Sequence, residues 1–140
     1  MKMTTRNGVT IQLQEIAKSP DFPSDSEAIV DSWISGGIGF EAVSHVLRFI
    51  EGNPDINYGK PGALVHFLER FYLHGYEDEL IASIRRKPTP HTVWMLNRLI
   101  NGAKSSNIRS HYIDELKNAK ADHQLDDVTL GAVDHFLSRL

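Results

Sequence analysis

The feature that most constrains the fold of this chain is a helical spacing of apolar residues that recurs in short blocks between Gly, Pro and Asn. Residues 9–14 also alternate as a strand does, but no second convincing strand accompanies them. The pattern therefore predicts an all-α fold of about seven or eight helices joined by short loops. The clearest block places five apolar residues on one helix face, at i, i+3, i+4, i+7 and i+8: Leu64, Phe67, Leu68, Phe71 and Tyr72.

The stretch from Thr89 to Gly102 is the most fully punctuated of these blocks. Thr89 can cap a helix, and Pro90 suits the first helical position, where its missing donor costs nothing. Gly102 is placed to take the left-handed conformation just past the end of the helix. These signals predict a helix from Pro90 to Asn101.

Two other helices have recognisable starts. Ser24 and Glu27 have the spacing of a capping box, which predicts a helix that begins there and ends near Gly36. Asp126 is expected to cap the C-terminal helix in the same way. Residues 52–62 are dense in Gly, Pro and Asn, so they are predicted to form the longest loop and are the first place to look for function.

The chain has 140 residues, 41% of them hydrophobic, which is typical of one globular domain with one core. We expect a single compact helical domain over residues 1–140. Antiparallel helix pairs of the HEAT type are compatible with the pattern, although no fixed-period repeat is visible. Trp33 and Trp94 are expected to be core or half-buried residues. Seven further apolar residues are expected to be largely buried: Phe67, Leu68, Phe71, Leu96, Ile100, Phe136 and Leu137.

Composition and motifs exclude several classes of chemistry. The chain has no Cys, so disulfides, thiolate zinc sites and thiol nucleophiles are excluded together. No two of its His residues are spaced i, i+4 on a helix, and no sequence motif for phosphate binding or catalysis is present, so neither a metal site nor a cofactor is predicted. No apolar run approaches the roughly 20 residues that span a bilayer, and no signal-peptide core follows the N-terminus. We therefore expect a cytoplasmic protein with no membrane partner.

The formal net charge of -3 conceals an acidic segment between residues 19 and 59. Seven acids in this segment are opposed by one base, Arg48, which leaves six net negative charges. Such a segment repels nucleic acid and attracts a cationic partner, and an acidic solvated surface with no partner is an equally good interpretation. The candidate partner-binding residues are six of these acids and one aromatic residue of the long loop: Asp21, Asp25, Glu27, Asp31, Glu51, Asp55 and Tyr58.

A polar stripe on the helix after Pro90 is a second candidate surface. Asn97, Arg98 and Asn101 lie within one helical turn, and Trp94 precedes them by one turn. Arg98 and Trp94 could anchor a partner. The amides could instead hold a neighbouring loop by satisfying its backbone groups, and this structural interpretation is the favoured one.

Three segments, residues 59–69, 87–92 and 94–101, resemble parts of the small helical immunity proteins of bacterial toxin systems, including contact-dependent growth inhibition. The resemblance implies a non-enzymatic protein that binds the toxin domain delivered by a neighbouring cell and blocks its active site or its docking. It brings no catalytic residue and no cofactor with it. Many such toxins are nucleases with basic surfaces, and an acidic immunity protein then mimics the charge of nucleic acid.

Two other functions also fit the sequence. The first is an all-α protein-protein interaction adaptor with an unrelated partner. The second is a hydrolase that uses Asp and His from different helices, which a deep pocket containing both residue types would support.

Overall fold

The computed structural model describes residues 6–140, and within that range all regular secondary structure is helical, with no strand. The prediction of an all-α fold with seven or eight helices is confirmed. Residues 9–14, which alternate as a strand does, lie inside the first helix. The helices are α1 (Arg6–Ile16), α2 (Phe22–Ser35), α3 (Val43–Gly52), preceded by a 3-10 turn at Phe40–Ala42, α4 (Gly62–Glu69), α5 (Tyr76–Arg86), α6 (Pro90–Gly102), α7 (Ser106–Asp122) and α8 (Asp127–Ser138).

The contacts divide the chain into two compact units, which we call the first unit, ending at Glu79, and the second unit, Leu80–Leu140. In the first unit α2 packs on α4, and α1 packs on α3. In the second unit α6, α7 and α8 all pack on one another. The single domain over residues 1–140 and the HEAT-like helix pairs stay predictions.

Trp33 is the centre of the first unit. Its side chain is fully buried, and its ring meets the Phe67 ring of α4 edge to face, with centroids 5.2 Å apart. Its indole N–H donates to Gln12 Oε1 of α1 at 2.8 Å, so the polar atom of a buried ring is satisfied. One residue of α2 thereby holds both neighbouring helices, as expected for a core tryptophan.

The loop between α3 and α4 is held by aromatic packing. Tyr58 is 2% exposed, and its ring meets the Phe22 ring edge to face at 5.4 Å. The Phe22 ring also stacks on the Phe49 ring, with centroids 6.1 Å apart. The Tyr58 hydroxyl donates to the Asn53 carbonyl oxygen at 2.6 Å. The loop is therefore fastened to the start of α2 and the end of α3.

The predicted start of α2 at Ser24 is wrong. The helix begins at Phe22, and its N-cap is Asp21, whose Oδ1 accepts from the Ser24 amide. Pro23 lies within the first turn, where the absence of an amide hydrogen leaves one fewer donor to satisfy. Asp21 and Pro23 together fix an N-cap three residues before the predicted one.

The apolar stripe of α4 outlasts the helix itself. α4 ends at Glu69, so Phe71 and Tyr72, predicted as the last residues of its stripe, lie in the turns that follow. Leu73 has a positive φ of 66°, which a helix cannot continue through. Its amide donates to the Glu77 carboxylate at 2.8 Å, which compensates for the helical bond that the turn forgoes.

Gly75 completes this turn and closes it against the 3-10 segment. Its φ is +106°, and a Cβ at this position would lie 2.9 Å from the Phe40 ring. Such a distance is inside van der Waals contact, and the backbone angle alone is unfavourable for any residue with a side chain. The backbone angle therefore favours glycine at this turn, and any side chain here would also displace the exposed Phe40 ring.

The start of α6 is as predicted, and its end is not. The Thr92 amide donates to Thr89 Oγ1, and the Thr89 amide donates back to Thr92 Oγ1, both at 3.1 Å. Gly102 is the last helical residue, and Ala103 leaves in an extended conformation with ψ 133°. The predicted left-handed Gly102 is therefore wrong, because the chain leaves α6 by extending rather than by turning back.

The predicted cap of α8 is confirmed. The Asp126 carboxylate accepts a hydrogen bond from the Thr129 amide at 2.7 Å. Hydrogen bonds from the backbone and the side chain of Thr129 lower the pKa of Asp126 below its ordinary value. The charge also lies at the positive end of the helix dipole. An ionised Asp126 thus stabilises the start of α8.

Four of the seven predicted core residues are buried: Phe67, Leu68, Leu96 and Ile100. Phe71, Phe136 and Leu137 are partly buried, so they are less completely covered than the other four. Phe71 lies past the end of α4, and the last turn of α8 is less covered than its middle, where Val133 is fully buried. Trp33 is in the core and Trp94 is half-buried, as predicted.

Candidate functional site

The acidic outer side of α2 is the first part of the candidate site. The helix is anchored by a buried face that includes Phe22, Val30 and Trp33. Glu27 and Asp31 lie at the edge of that face and are exposed. Residues four apart lie on the same side of a helix, so the two carboxylates form a short acidic row.

The two other acids of α2 have local structural roles. Asp21 is the N-cap. Asp25 lies in the first turn, where a negative charge is favoured by the helix dipole, and it accepts a hydrogen bond from the Ser19 hydroxyl. The helix start therefore accounts for the placement of both residues without a partner.

The structure separates the remaining predicted residues. Asp55 is exposed in the loop, close in sequence to Ile56, which lines a groove together with Asp21 at the start of α2. Glu51 is 7% exposed and Tyr58 is 2% exposed, so neither offers its side chain at the surface. The prediction that Tyr58 offers an aromatic contact to a partner is therefore wrong, because its ring is part of the core.

Glu27 and Asp31 also form one wall of a groove within the first unit. The groove has a volume of about 590 Å³. Its opposite wall carries His66 and Arg70 of the α4 end, which are also four residues apart and exposed. The apolar lining between the two walls is made by Val30, Ile34, Ala63 and Phe67.

The four charged or polar groups of the two walls are available for a partner. Within the part of the chain that the structure describes, the side chains of Glu27, Asp31, His66 and Arg70 make no hydrogen bond or ion pair. The walls have opposite character, with two carboxylates on α2 and an imidazole and a guanidinium across from them. The sequence patterns do not reveal the groove, because the pairing of α2 with α4 is a tertiary contact.

A second groove, of about 480 Å³, lies within the second unit, and an ion pair dominates it. Arg85 Nη2 lies 2.7 Å from Glu115 Oε2, and Arg85 Nε donates to Glu115 Oε1 at 3.0 Å. The hydrogen bonds from Arg85 hold the pKa of Glu115 below its ordinary value. Asp122 and His123 also line this groove.

This second groove bears on the hydrolase hypothesis. It contains both residue types that the hypothesis needs, but Asp122 and His123 are neighbours at the end of α7 rather than members of different helices. Both oxygens of Glu115 are already engaged by Arg85. The arrangement is that of a structural ion pair beside a helix end.

The polar stripe of α6 is packed against its own tryptophan. The Arg98 guanidinium carbon lies 5.2 Å from the centre of the Trp94 ring, within the range of a cation-π interaction. The His91 ring lies 5.3 Å from Trp94 on the same helix. Trp94 thus contacts a residue on each side. The interpretation that the stripe's amides hold a neighbouring loop stays a prediction.

The described residues contain neither a candidate metal cluster nor a helix suited to a membrane. Among residues 6–140, no group of three or more His, Asp or Glu side chains is arranged to hold a metal ion. Over the same range, no helix combines the length and the apolar character needed to cross a bilayer.

Comparison with known proteins finds no significant match to a family model, to a curated protein or to a solved structure.

Proposed function

We propose that this chain is an immunity protein that binds a cognate toxin domain and holds it inactive, with the outer side of α2 as its binding surface. The observation that carries the proposal is the exposed pair Glu27 and Asp31. They lie on a helix that is anchored by Trp33, and their side chains make no hydrogen bond or ion pair within the described residues. The resemblance of residues 59–101 to immunity proteins supports the same function.

Charge explains how such a surface acts. Exposed acids contribute little to folding, but they raise the encounter rate with a cationic partner in a manner that salt weakens. Glu27, Asp31 and Asp55 are exposed, and their side chains make no hydrogen bond or ion pair within the described residues. They are therefore the predicted acids best suited to attract a basic toxin surface.

The experiment is stopped-flow association with the toxin domain encoded beside this protein, at two ionic strengths. Replacing Glu27, Asp31 and Asp55 together by Lys should slow association by at least about tenfold and flatten its salt dependence. The thermal midpoint should change little. A toxin activity assay measures neutralisation in parallel.

The control replaces three exposed acids elsewhere, Glu15, Asp114 and Asp122, by Lys. It changes the net charge by the same amount, so it separates local attraction from the effect of overall charge. An equal loss of rate in both variants would show that only net charge matters. Unimpaired toxin activity in the presence of the wild-type protein would rule out the immunity function and favour the adaptor.

A further inference from the structure

We propose that the groove between α2 and α4 binds one amphipathic helix of a partner, in which an apolar stripe separates a basic flank from an acidic flank. The groove shares Glu27 and Asp31 with the proposed function, so the biological identity of the partner rests on that function. The chemistry of the occupant rests on the groove alone.

The apolar lining is the first step. Ile34 is 42% exposed, which is high for a large aliphatic side chain beside a groove. Val30 and Phe67 are buried beneath it, and Ala63 leaves room on the α4 side. Two packed helices present a furrow into which the side-chain ridge of a third helix fits. An apolar stripe on that third helix would cover Ile34.

The two walls set the charges of the occupant. Glu27 and Asp31 are separated by one helical turn, and so are His66 and Arg70, which places the groups of each wall about 6 Å apart along their helix. A partner helix with Lys or Arg at i and i+4 on one flank matches the α2 wall. Asp or Glu at i and i+4 on its other flank matches the α4 wall.

The opposed walls also discriminate against other occupants. A helix that is basic on both flanks meets Arg70 with like charge, and a helix that is acidic on both flanks meets Glu27 and Asp31. Like charges in contact are unfavourable and act against the wrong partner. Nucleic acid is disfavoured because its phosphates would also meet the carboxylates of Glu27 and Asp31.

The test uses three synthetic helical peptides of about 18 residues, long enough to hold helix in water when helix formers fill the remaining positions. All three carry the same Leu stripe. Their flanks are Lys and Glu in the mixed peptide, Lys on both sides in the second, and Glu on both sides in the third. Fluorescence anisotropy should show the mixed peptide binding at least about tenfold more tightly than either other peptide.

Charge reversal of one wall should then switch the preference. The Glu27→Lys, Asp31→Lys variant should bind the all-Glu peptide best, and the His66→Glu, Arg70→Glu variant should bind the all-Lys peptide best. A loss of folding cannot produce such a switch. If a reversed variant loses its helical circular dichroism, the Glu27→Gln, Asp31→Gln variant replaces it and should reduce the advantage of the mixed peptide.

The variant with all four reversals should again prefer the mixed peptide. The charges of its two walls are exchanged, and a helix bound in the opposite direction presents its basic and acidic flanks to the opposite walls. The control Ala28→Lys, Ser32→Lys places two charges four residues apart on α2, at exposed positions outside the groove. It should keep the wild-type order of the three peptides.

Equal affinities of the wild type for the three peptides, or an unchanged order after Glu27→Lys with Asp31→Lys, would overturn the groove proposal. The peptide and toxin experiments test the two proposals separately. Peptide discrimination without toxin binding would support the groove proposal and contradict the immunity function. Toxin neutralisation without peptide discrimination would support the immunity function and contradict the groove proposal.

Discussion

Arg85 and Glu115 form a two-point ion pair that joins the last turn of α5 to the middle of α7 within the second unit. The two partners differ in environment, since the Glu115 side chain is 6% exposed and the Arg85 side chain 67%. The carboxylate has left water and depends on the guanidinium for compensation, whereas Arg85 remains solvated. The Glu115 side chain is therefore closely coupled to the stability of the fold.

Glu115→Ala is expected to lower the free energy of unfolding by more than Asp134→Ala does. Asp134 pairs with Lys120 at 2.7 Å, but both side chains are about half exposed, and such a pair is worth about 0.2 to 1 kcal/mol. Urea denaturation of the two variants measures the difference. An equal loss in both would mean that Glu115 gains nothing from its buried position.

The same pair predicts a pH dependence of stability. Hydrogen bonding to Arg85 lowers the folded-state pKa of Glu115 from its ordinary value of 4.5, so the unfolded state binds the proton first as the pH falls. The stabilisation is therefore present above pH 4.5 and is lost as the pH drops through the folded-state pKa. Asp126, whose pKa is also lowered, contributes the same trend in wild type and variant alike.

A comparison of wild type with Glu115→Gln isolates the contribution of this carboxylate. The difference between their free energies of unfolding should be constant near neutral pH and should shrink below pH 4.5. Chemical denaturation across this range measures it. A difference that stays constant down to the acid limit would show that Glu115 has the same pKa in both states.

Phe67→Ala is expected to cost roughly 3 to 5 kcal/mol of stability. The ring is fully buried and meets both Trp33 and Phe71 edge to face, at 5.2 and 5.6 Å. Ile11→Ala is the control, since Ile11 is 55% exposed and should change stability by less than about 0.5 kcal/mol. Equilibrium unfolding followed by tryptophan fluorescence measures both, and similar losses would show that the first unit is not packed around Phe67.

Tyr58→Phe separates a structural role from a binding role. The variant removes the hydrogen bond to the Asn53 carbonyl and should cost about 0.5 to 1.5 kcal/mol while leaving association with a toxin domain unchanged. Burial raises the pKa of the Tyr58 hydroxyl above its ordinary value, so wild-type Tyr58 should ionise later in an alkaline absorbance titration than the exposed tyrosines of the unfolded chain. Slower toxin association with unchanged stability would restore Tyr58 to the binding surface.

Local signals predicted the helices well and their ends less well. The reciprocal bonds of Thr89 and Thr92 and the cap at Asp126 involve residues three apart, so sequence spacing is sufficient to find them. The end of α4 depends instead on Leu73, whose positive φ goes with a bond to Glu77 and the approach of Gly75 to Phe40. No pattern within α4 contains that information.

The candidate site was predictable in charge and not in shape. Glu27 and Asp31 belong to a visible acidic segment, but their groove needs α4 beside α2. Tyr58 looks exposed in a loop of Gly, Pro and Asn, because composition cannot reveal that Phe22 and Phe49 cover its ring. Contacts between residues distant in sequence decided each of these outcomes.

The buried and exposed residues of α2 are under different constraints, so the exposed ones can vary. The buried residues, Trp33 above all, pack within the first unit, so substitutions there lower the stability of the fold. Glu27 and Asp31 have no folding partner within the described residues, so their charges can be exchanged, lost or reversed while the fold persists. Natural variants that keep the inner side should therefore differ most at positions 27 and 31, where recognition can be rewritten one residue at a time.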